Sequence, residues 1–199
     1  PTTAATDAAA AAAAAALRLQ RLQGRASLGI PPGAFLISAS GPLCERKRQH
    51  VVLDALERLV LRAEDAHLLL VGGEGGCADE PAAYVTELRI RAAAPPLAGR
   101  VTITPLAADG WRALALSDLH VSAARTDAYP LSALEASRLG VPTIAAAAGG
   151  AAELLHDEPE LKWVLPQTDE ALVGAVESAS LPFPQQPLAR ARLARVPPA

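Results

Sequence analysis

The 199-residue chain is poor in aromatic side chains and in cysteine. Only six residues are aromatic, so the core must rely on small aliphatic side chains, which favour helices packed closely on a sheet. The two cysteines, Cys44 and Cys77, form no CxxC pair, and no histidine stands at the spacing of a metal ligand. This argues against a zinc site and a disulfide scaffold, and it predicts a reducing compartment in which both cysteines remain thiols.

Long hydrophobic runs and a strong excess of one charge are also missing. No alkyl-rich stretch approaches the roughly 18 consecutive apolar residues of a membrane-spanning helix, which excludes an integral membrane domain. With 18 basic and 21 acidic residues the formal charge is -3, so no basic field favours nucleic acid and any anion must be bound locally. No signal peptide is visible, and we expect a location in the cytoplasm or at the cytosolic face of a membrane.

Composition divides the chain into three segments. We predict a low-complexity, alanine-rich linker and peripheral helix over residues 1–28, and a compact domain over residues 29–180. Residues 181–199 form a tail rich in proline and arginine.

Within the compact domain, short apolar runs alternate with helical periodicity. The runs predict strands at 35–40, 67–72, 101–105, 119–123, 143–146 and 163–165. The helices between and after them are predicted near 46–63, 82–93, 111–116, 130–139, 151–156 and 170–179. Such alternation predicts an α/β fold with an open, doubly wound, six-stranded parallel sheet of the Rossmann-like type. Ligands of such sheets bind outside the carboxyl ends of the strands.

The loop after the first predicted strand carries three cations, Arg46, Lys47 and Arg48, at the start of a helix. Unpaired backbone N–H groups at a helix N-terminus favour negative charge, so this segment suits a phosphate. A solvated basic turn is the alternative. Lys47 is of special interest because it and Lys162 are the only lysines in the chain.

The loop after the second predicted strand is rich in glycine, and residues 73–78 fit the G-x-G-x-x-[G/A] pattern of dinucleotide-binding proteins. However, that pattern belongs after the first strand of its unit, with a helix opening at once. Here Pro81 and two acidic residues intervene. We therefore interpret the segment as a permissive turn beside a ligand, and a nicotinamide-dependent oxidoreductase is disfavoured.

The loop after the fourth predicted strand leads through Asp127 into a helix opened by Pro130. Backbone donors at this helix start would point toward the edge of the sheet. Glu135 follows inside the helix between apolar residues, where its carboxylate either faces solvent or meets a polar partner such as a sugar hydroxyl.

The order of these segments resembles the C-terminal, nucleotide-sugar-binding domain of the family 4 retaining glycosyltransferases, which have the GT-B fold. The resemblance runs from about Gly24 to Ser178 and rests on six ordered motifs that are jointly specific. These motifs are the turn 41–47, the turn 71–75, Ser117-Asp118, the acidic pair Asp127 and Glu135, Gly140-Val141-Pro142, and Gly149-Gly150 with Glu153.

The resemblance implies a domain that binds a nucleoside-diphosphate sugar without a metal. Lys47 would hold the donor diphosphate and backbone N–H groups around Tyr129 to Leu131 would cap it. Asp127 would contact the transferred sugar, Glu135 would bind ribose hydroxyls, and the base would lie near Pro105 and Leu106. The catalytic residues implied are Asp127 and Lys47, and the donor-binding residues are Gly41, Arg46, Lys47, Gly73, Leu106, Tyr129, Pro130, Leu131 and Glu135.

The chain departs from the family pattern at four positions: Pro42 replaces an arginine, Arg48 a glycine, Ala124 a serine and Asp127 a glutamate. Proline offers no cation, so Arg46 or Arg48 is expected to compensate for the lost arginine. A complete GT-B enzyme also needs an N-terminal acceptor domain, for which this chain has no room.

Two hypotheses follow from these features. In the first, the chain is the donor-binding half of a glycosyltransferase, inactive alone and completed by an acceptor-binding domain or a partner subunit. In the second, it is a degenerate copy that serves as a structural or interaction module in a larger assembly.

Overall fold

The computed structural model describes residues 15–16, 18–72, 83–105, 110–147, 149–151, 162–166 and 168–180. Helix α1 covers residues 18–27, and a 3-10 turn spans Glu45–Lys47. The longer helices that follow are α2 (Gln49–Leu61), α3 (Ala83–Ala93), α4 (Gly110–Leu114), α5 (Leu131–Arg138) and α6 (Asp169–Ala179). The strands are β1 (Phe35–Ser40), β2 (Ala66–Val71), β3 (Val101–Thr104), β4 (Leu119–Ser122), β5 (Thr143–Ala146) and β6 (Lys162–Leu165).

The six strands form one parallel sheet in the order β3-β2-β1-β4-β5-β6. The predicted fold class is therefore confirmed. The order of the strands reverses between β1 and β4, where Ser38 lies opposite His120. At such a reversal the connections leave in opposite directions and open a crevice at the carboxyl ends of the strands.

Apolar side chains cover both faces of the sheet, as expected for parallel strands. On one face, Ile37 and Leu68 pack in a large core together with α2 and α6. On the other face, Leu36 and Leu69 join a smaller cluster that includes Leu114 of α4. Every residue of β2 is buried, which explains its apolar run from Leu68 to Val71.

Helix α1 is bound to the amino end of β4 by charged groups. Asp118 pairs with Arg21 and Arg25 at 2.8 Å each and accepts a hydrogen bond from the Leu36 amide. Arg25 is almost fully buried and donates to the carbonyl oxygens of Ala34 and Leu116. The helix predicted as peripheral is thus held against the domain.

Among the described helices, none is both long and apolar enough to cross a membrane. Cys44 is buried, whereas Cys77 lies outside the described residues, so the expectation that both remain thiols stays a prediction.

Candidate functional site

Two loops meet at the crevice between β1 and β4. The loop after β1 runs from Gly41 through the 3-10 turn, and the loop after β4 runs from Ala123 to Pro130. The Arg125 amide donates to the carbonyl oxygen of Arg46 at 2.8 Å, and the Arg46 guanidinium donates to the carbonyl oxygen of Thr126 at 2.9 Å. These bonds fix the two loops together at the position where ligands of such sheets bind.

An ion pair between Lys47 and Asp127 lies at the centre of these loops. Lys47 Nζ is 2.6 Å from Asp127 Oδ2, and only about a sixth of each side chain is exposed (16% and 15%). A charge-assisted hydrogen bond of this length in a partly buried place is stronger than a surface ion pair. The structure thus brings together two of the predicted site residues that lie far apart in the sequence.

A glycine lets the lysine lie close to the backbone of the first loop. At Gly41 the φ angle is +127°, and a Cβ there would lie 3.3 Å from Lys47 Cε. A side chain would therefore be strained and would also press on the lysine. Gly41 thus shapes the path of Lys47, and its role toward a donor stays a prediction.

The first turn of α5 borders the ion pair. The N-cap residue is Pro130, which offers no side-chain acceptor, and the Tyr129 amide donates to Asp127 Oδ1 at 3.3 Å. Tyr129 and Leu131 are both more than half exposed beside this turn. Amide groups of a helix N-terminus next to a lysine create a local positive field suited to an anion.

A third loop, after β5, packs beneath Asp127. Gly149 has a φ of +57°, and a Cβ there would overlap the carbonyl oxygen of Asp127. The Gly150 amide donates to the same oxygen at 3.2 Å. The glycine pair of the last sequence motif thus supports the backbone of Asp127, a role that only the folded chain reveals.

The remaining predicted residues are Glu135, Gly73 and Leu106. Glu135 lies in the second turn of α5 and is exposed, so its role toward a ribose stays a prediction. Gly73 and Leu106 lie outside the described residues.

The structure corrects the expectation for Arg48. Its side chain is buried and donates to the Ala123 carbonyl oxygen and to Asp169 at the start of α6. Because both partners hold the guanidinium inside the protein, Arg48 does not replace the arginine that Pro42 displaces.

Sequence reasoning missed His120, a fully buried residue of β4. Its Nδ1 is 3.1 Å from Ser38 Oγ, and its Nε2 is 3.3 Å from Ser132 Oγ in the first turn of α5. Burial, assisted by the charge of Lys47, lowers the pKa of His120 to about 3, so the ring is neutral. The one signal in the sequence is a histidine within the otherwise apolar start of β4, Leu119-His120-Val121.

A family model described as Glycosyl transferases group 1 matches residues 34–180. The chain belongs to this family. The match spans the whole sheet and both site loops of the domain.

Curated members of known name agree with this assignment. The D-inositol 3-phosphate glycosyltransferase of Rhodococcus erythropolis is 30% identical over 165 residues, which cover 79% of this chain and 36% of the relative. The enzyme of the same name from Rhodococcus opacus is 33% identical over 133 residues, covering 63% of this chain and 28% of the relative. The chain thus spans about a third of the length of these relatives.

Solved structures show the same fold. The Anabaena Alr3699/HepE complex with UDP superposes with a TM-score of 0.71 at 24% identity, covering 84% of this chain and 44% of that one. WaaG, a glycosyltransferase involved in lipopolysaccharide biosynthesis, gives 0.67 at 23% identity, covering 86% and 45%. The resemblance inferred from the sequence motifs is therefore confirmed, and the chain forms a Rossmann-like glycosyltransferase domain of the GT-B type.

Proposed function

We propose that this glycosyltransferase domain binds a nucleoside-diphosphate sugar for retaining transfer to an acceptor held by an N-terminal domain or a partner subunit. The observation that carries the proposal is the Lys47–Asp127 pair beside the first turn of α5, at the point where the strand order reverses. A cation, a carboxylate and the positive end of a helix dipole are the groups that a diphosphate joined to a sugar requires.

Lys47 and α5 take the diphosphate. The lysine ammonium has three donors and uses one toward Asp127 Oδ2, so it can add a phosphate oxygen without releasing the carboxylate. The turn from Tyr129 to Leu131 opens α5 beside the same ion pair, so the positive end of the helix dipole adds to the charge of Lys47. Because a cation and a helix N-terminus neutralise the diphosphate, we propose that binding needs no metal.

Asp127 takes the transferred sugar. Its carboxylate is oriented by Lys47 and by the Tyr129 amide, which leaves acceptor lone pairs for sugar hydroxyls. Glu135 takes the ribose hydroxyls and the base lies near Pro105 and Leu106, as the family resemblance implies. The UDP and UDP-glucose complexes of Alr3699/HepE, whose domain has this fold, support a uridine nucleotide as the first candidate.

The acceptor is held over the crevice by a further domain. The curated relatives extend to about three times the matched length, which supports the presence of such a domain in the working enzyme. The exposed Tyr129 and Leu131 are positioned to border the acceptor.

Calorimetric titration with UDP-, GDP- and ADP-sugars tests the proposal, with and without EDTA. We expect millimolar or tighter binding of one nucleotide class that EDTA leaves unchanged. Lys47→Ala should weaken it roughly 10- to 150-fold, because charge-assisted hydrogen bonds to a diphosphate are lost.

The matched control is Arg58→Ala. It removes one positive charge from the last turn of α2, far along that helix from the site loops, and should leave affinity unchanged. Absence of binding to every nucleotide tested would reject the donor site and favour the structural module instead. Equal losses of nucleotide affinity in both variants would show that binding depends only on the net charge of the protein.

A further inference from the structure

Three polar side chains are connected by hydrogen bonds beneath the site, and two of them are fully buried while the third, Ser132, is partly buried. Ser38 of β1 and His120 of β4 lie opposite each other in the sheet, and both are fully buried. His120 then reaches Ser132, the second residue of α5. Burying polar groups costs free energy unless each is hydrogen-bonded. Simple packing therefore does not explain why these three polar side chains lie together.

We assign a direction to the hydrogen bonds among these three side chains. The Ser38 hydroxyl donates to the Leu119 carbonyl oxygen at 3.4 Å, which uses its only proton. In this assignment it accepts from Nδ1–H of His120 at 3.1 Å, and the neutral ring presents the Nε2 lone pair toward α5. The Ser132 hydroxyl must then donate to Nε2.

The position of Ser132 affects the part of α5 that would bind an anion. It lies in the first turn of α5, whose later amides, those of Ala133 and Leu134, close onto the Pro130 carbonyl oxygen at 3.1 and 3.2 Å. The N-cap residue gives this turn no side-chain acceptor. A short helix whose start is uncapped frays easily, and a bond from Ser132 into the sheet is what ties this end down.

We propose that His120 is a positioning residue, which accepts a hydrogen bond from Ser132 and so holds the first turn of α5 in the geometry that caps the donor diphosphate. The diphosphate part rests on the proposed function. The ordering of the turn does not depend on any ligand.

Another buried histidine provides a matched comparison. His67 of β2 is also buried and neutral, with burial lowering its pKa to about 4, and its Nε2 is 2.8 Å from Thr102 Oγ1 on β3. Its partner lies on an outer strand of the sheet rather than on α5. His67→Leu therefore removes a similar ring from the core without touching the site.

The first experiment measures amide hydrogen exchange without ligand. In His120→Leu, the amides of Ala133 and Leu134 should exchange about 3- to 10-fold faster than in the parent, because the loss of one hydrogen bond loosens the turn. In His67→Leu they should be unchanged. Equal exchange in the parent and in His120→Leu would overturn the positioning role, whether or not any nucleotide binds.

The second experiment uses two conservative variants. Glutamine places its amide oxygen near the former Nε2, so His120→Gln should keep the bond from Ser132 and keep UDP affinity. Asparagine reaches only the position of Nδ1, so His120→Asn should weaken UDP binding about 3- to 10-fold. Uridine, which lacks phosphates, should bind both variants as it binds the parent.

Equal UDP affinities in the two variants, or a matching loss of uridine affinity, would overturn the link between His120 and the diphosphate. Failure of the parent itself to bind UDP would count against a uridine donor, while the exchange result would still decide the positioning role. Ring nitrogen chemical shifts provide a spectroscopic check, since the proposal requires the proton on Nδ1 at neutral pH. A proton on Nε2 would contradict it.

Discussion

Arg48 shows how one residue can meet a backbone requirement that its type disfavours. Its φ is +53°, in the left-handed region, and it separates the 3-10 turn from α2. The family that the sequence motifs resemble has glycine at this position, and glycine adopts this conformation without strain. In this chain the buried Arg48 guanidinium compensates for the backbone strain by donating hydrogen bonds to Ala123 and Asp169.

Two substitutions at Arg48 separate these effects. Arg48→Ala loses the side-chain bonds and keeps the strain, so it should lower the free energy of unfolding by about 2–3 kcal/mol. Arg48→Gly loses the same bonds but relieves the strain, and should be about 1 kcal/mol more stable than the alanine variant. Urea unfolding measures both. A glycine variant no more stable than the alanine variant would show that the conformation carries no strain.

At the scale of elements, the site depends on how three loops meet. The loops after β1 and β4 are joined by backbone bonds and by the Lys47–Asp127 pair, and the loop after β5 supports Asp127 from below. None of these loops alone fixes the carboxylate. A change in the supporting loop should therefore affect binding although it touches no ligand.

Gly149 and Gly140 allow this to be tested with the same substitution. Both have positive φ, +57° and +72°, but a Cβ overlaps the Asp127 carbonyl only at Gly149, while Gly140 has nothing within 4 Å. Gly140→Ala should cost about 1 kcal/mol of unfolding free energy and leave nucleotide affinity unchanged. Gly149→Ala should cost more and also weaken binding, because the backbone of Asp127 must move. Calorimetric titration and urea unfolding of both variants measure these effects. Similar nucleotide affinities in the two variants would contradict a supporting role of Gly149.

At the scale of the whole molecule, the two buried histidines make the fold sensitive to acid. In the unfolded chain a histidine binds a proton below about pH 6.5, whereas the folded protein resists protonation down to about pH 3 at His120 and about pH 4 at His67. Between pH 6.5 and 4 the unfolded state thus binds more protons, so stability is full above pH 6.5 and falls as the pH decreases.

Urea unfolding at pH 7, 6 and 5 measures this dependence. Each histidine contributes a slope of up to about 1.4 kcal/mol per pH unit below pH 6. His67→Leu should remove one contribution and flatten the dependence. If parent and variant lose stability equally between pH 6 and 5, the acid sensitivity arises from other groups.

Much of the architecture was predictable because it follows from local patterns. Six apolar runs bounded by turn residues gave six parallel strands within a residue or two, and the loops at their carboxyl ends contain the site. Charge at a helix start and motif order also predicted Lys47 and Asp127 as site residues; the structure pairs them, and their roles toward a donor stay predictions. The predicted helix over 46–63 was wrong at its start, because Arg48 breaks it.

The sequence by itself determined the alternation of strands and helices, since burial on a sheet imposes a periodicity on neighbouring residues. It also determined which loops hold charge. Only the tertiary structure decided the partners: Lys47 pairs with a carboxylate 80 residues away, His120 bonds to serines on β1 and α5, and Gly149 supports Asp127. These contacts join segments brought together by the order of strands in the sheet, and no local pattern records which distant groups will meet.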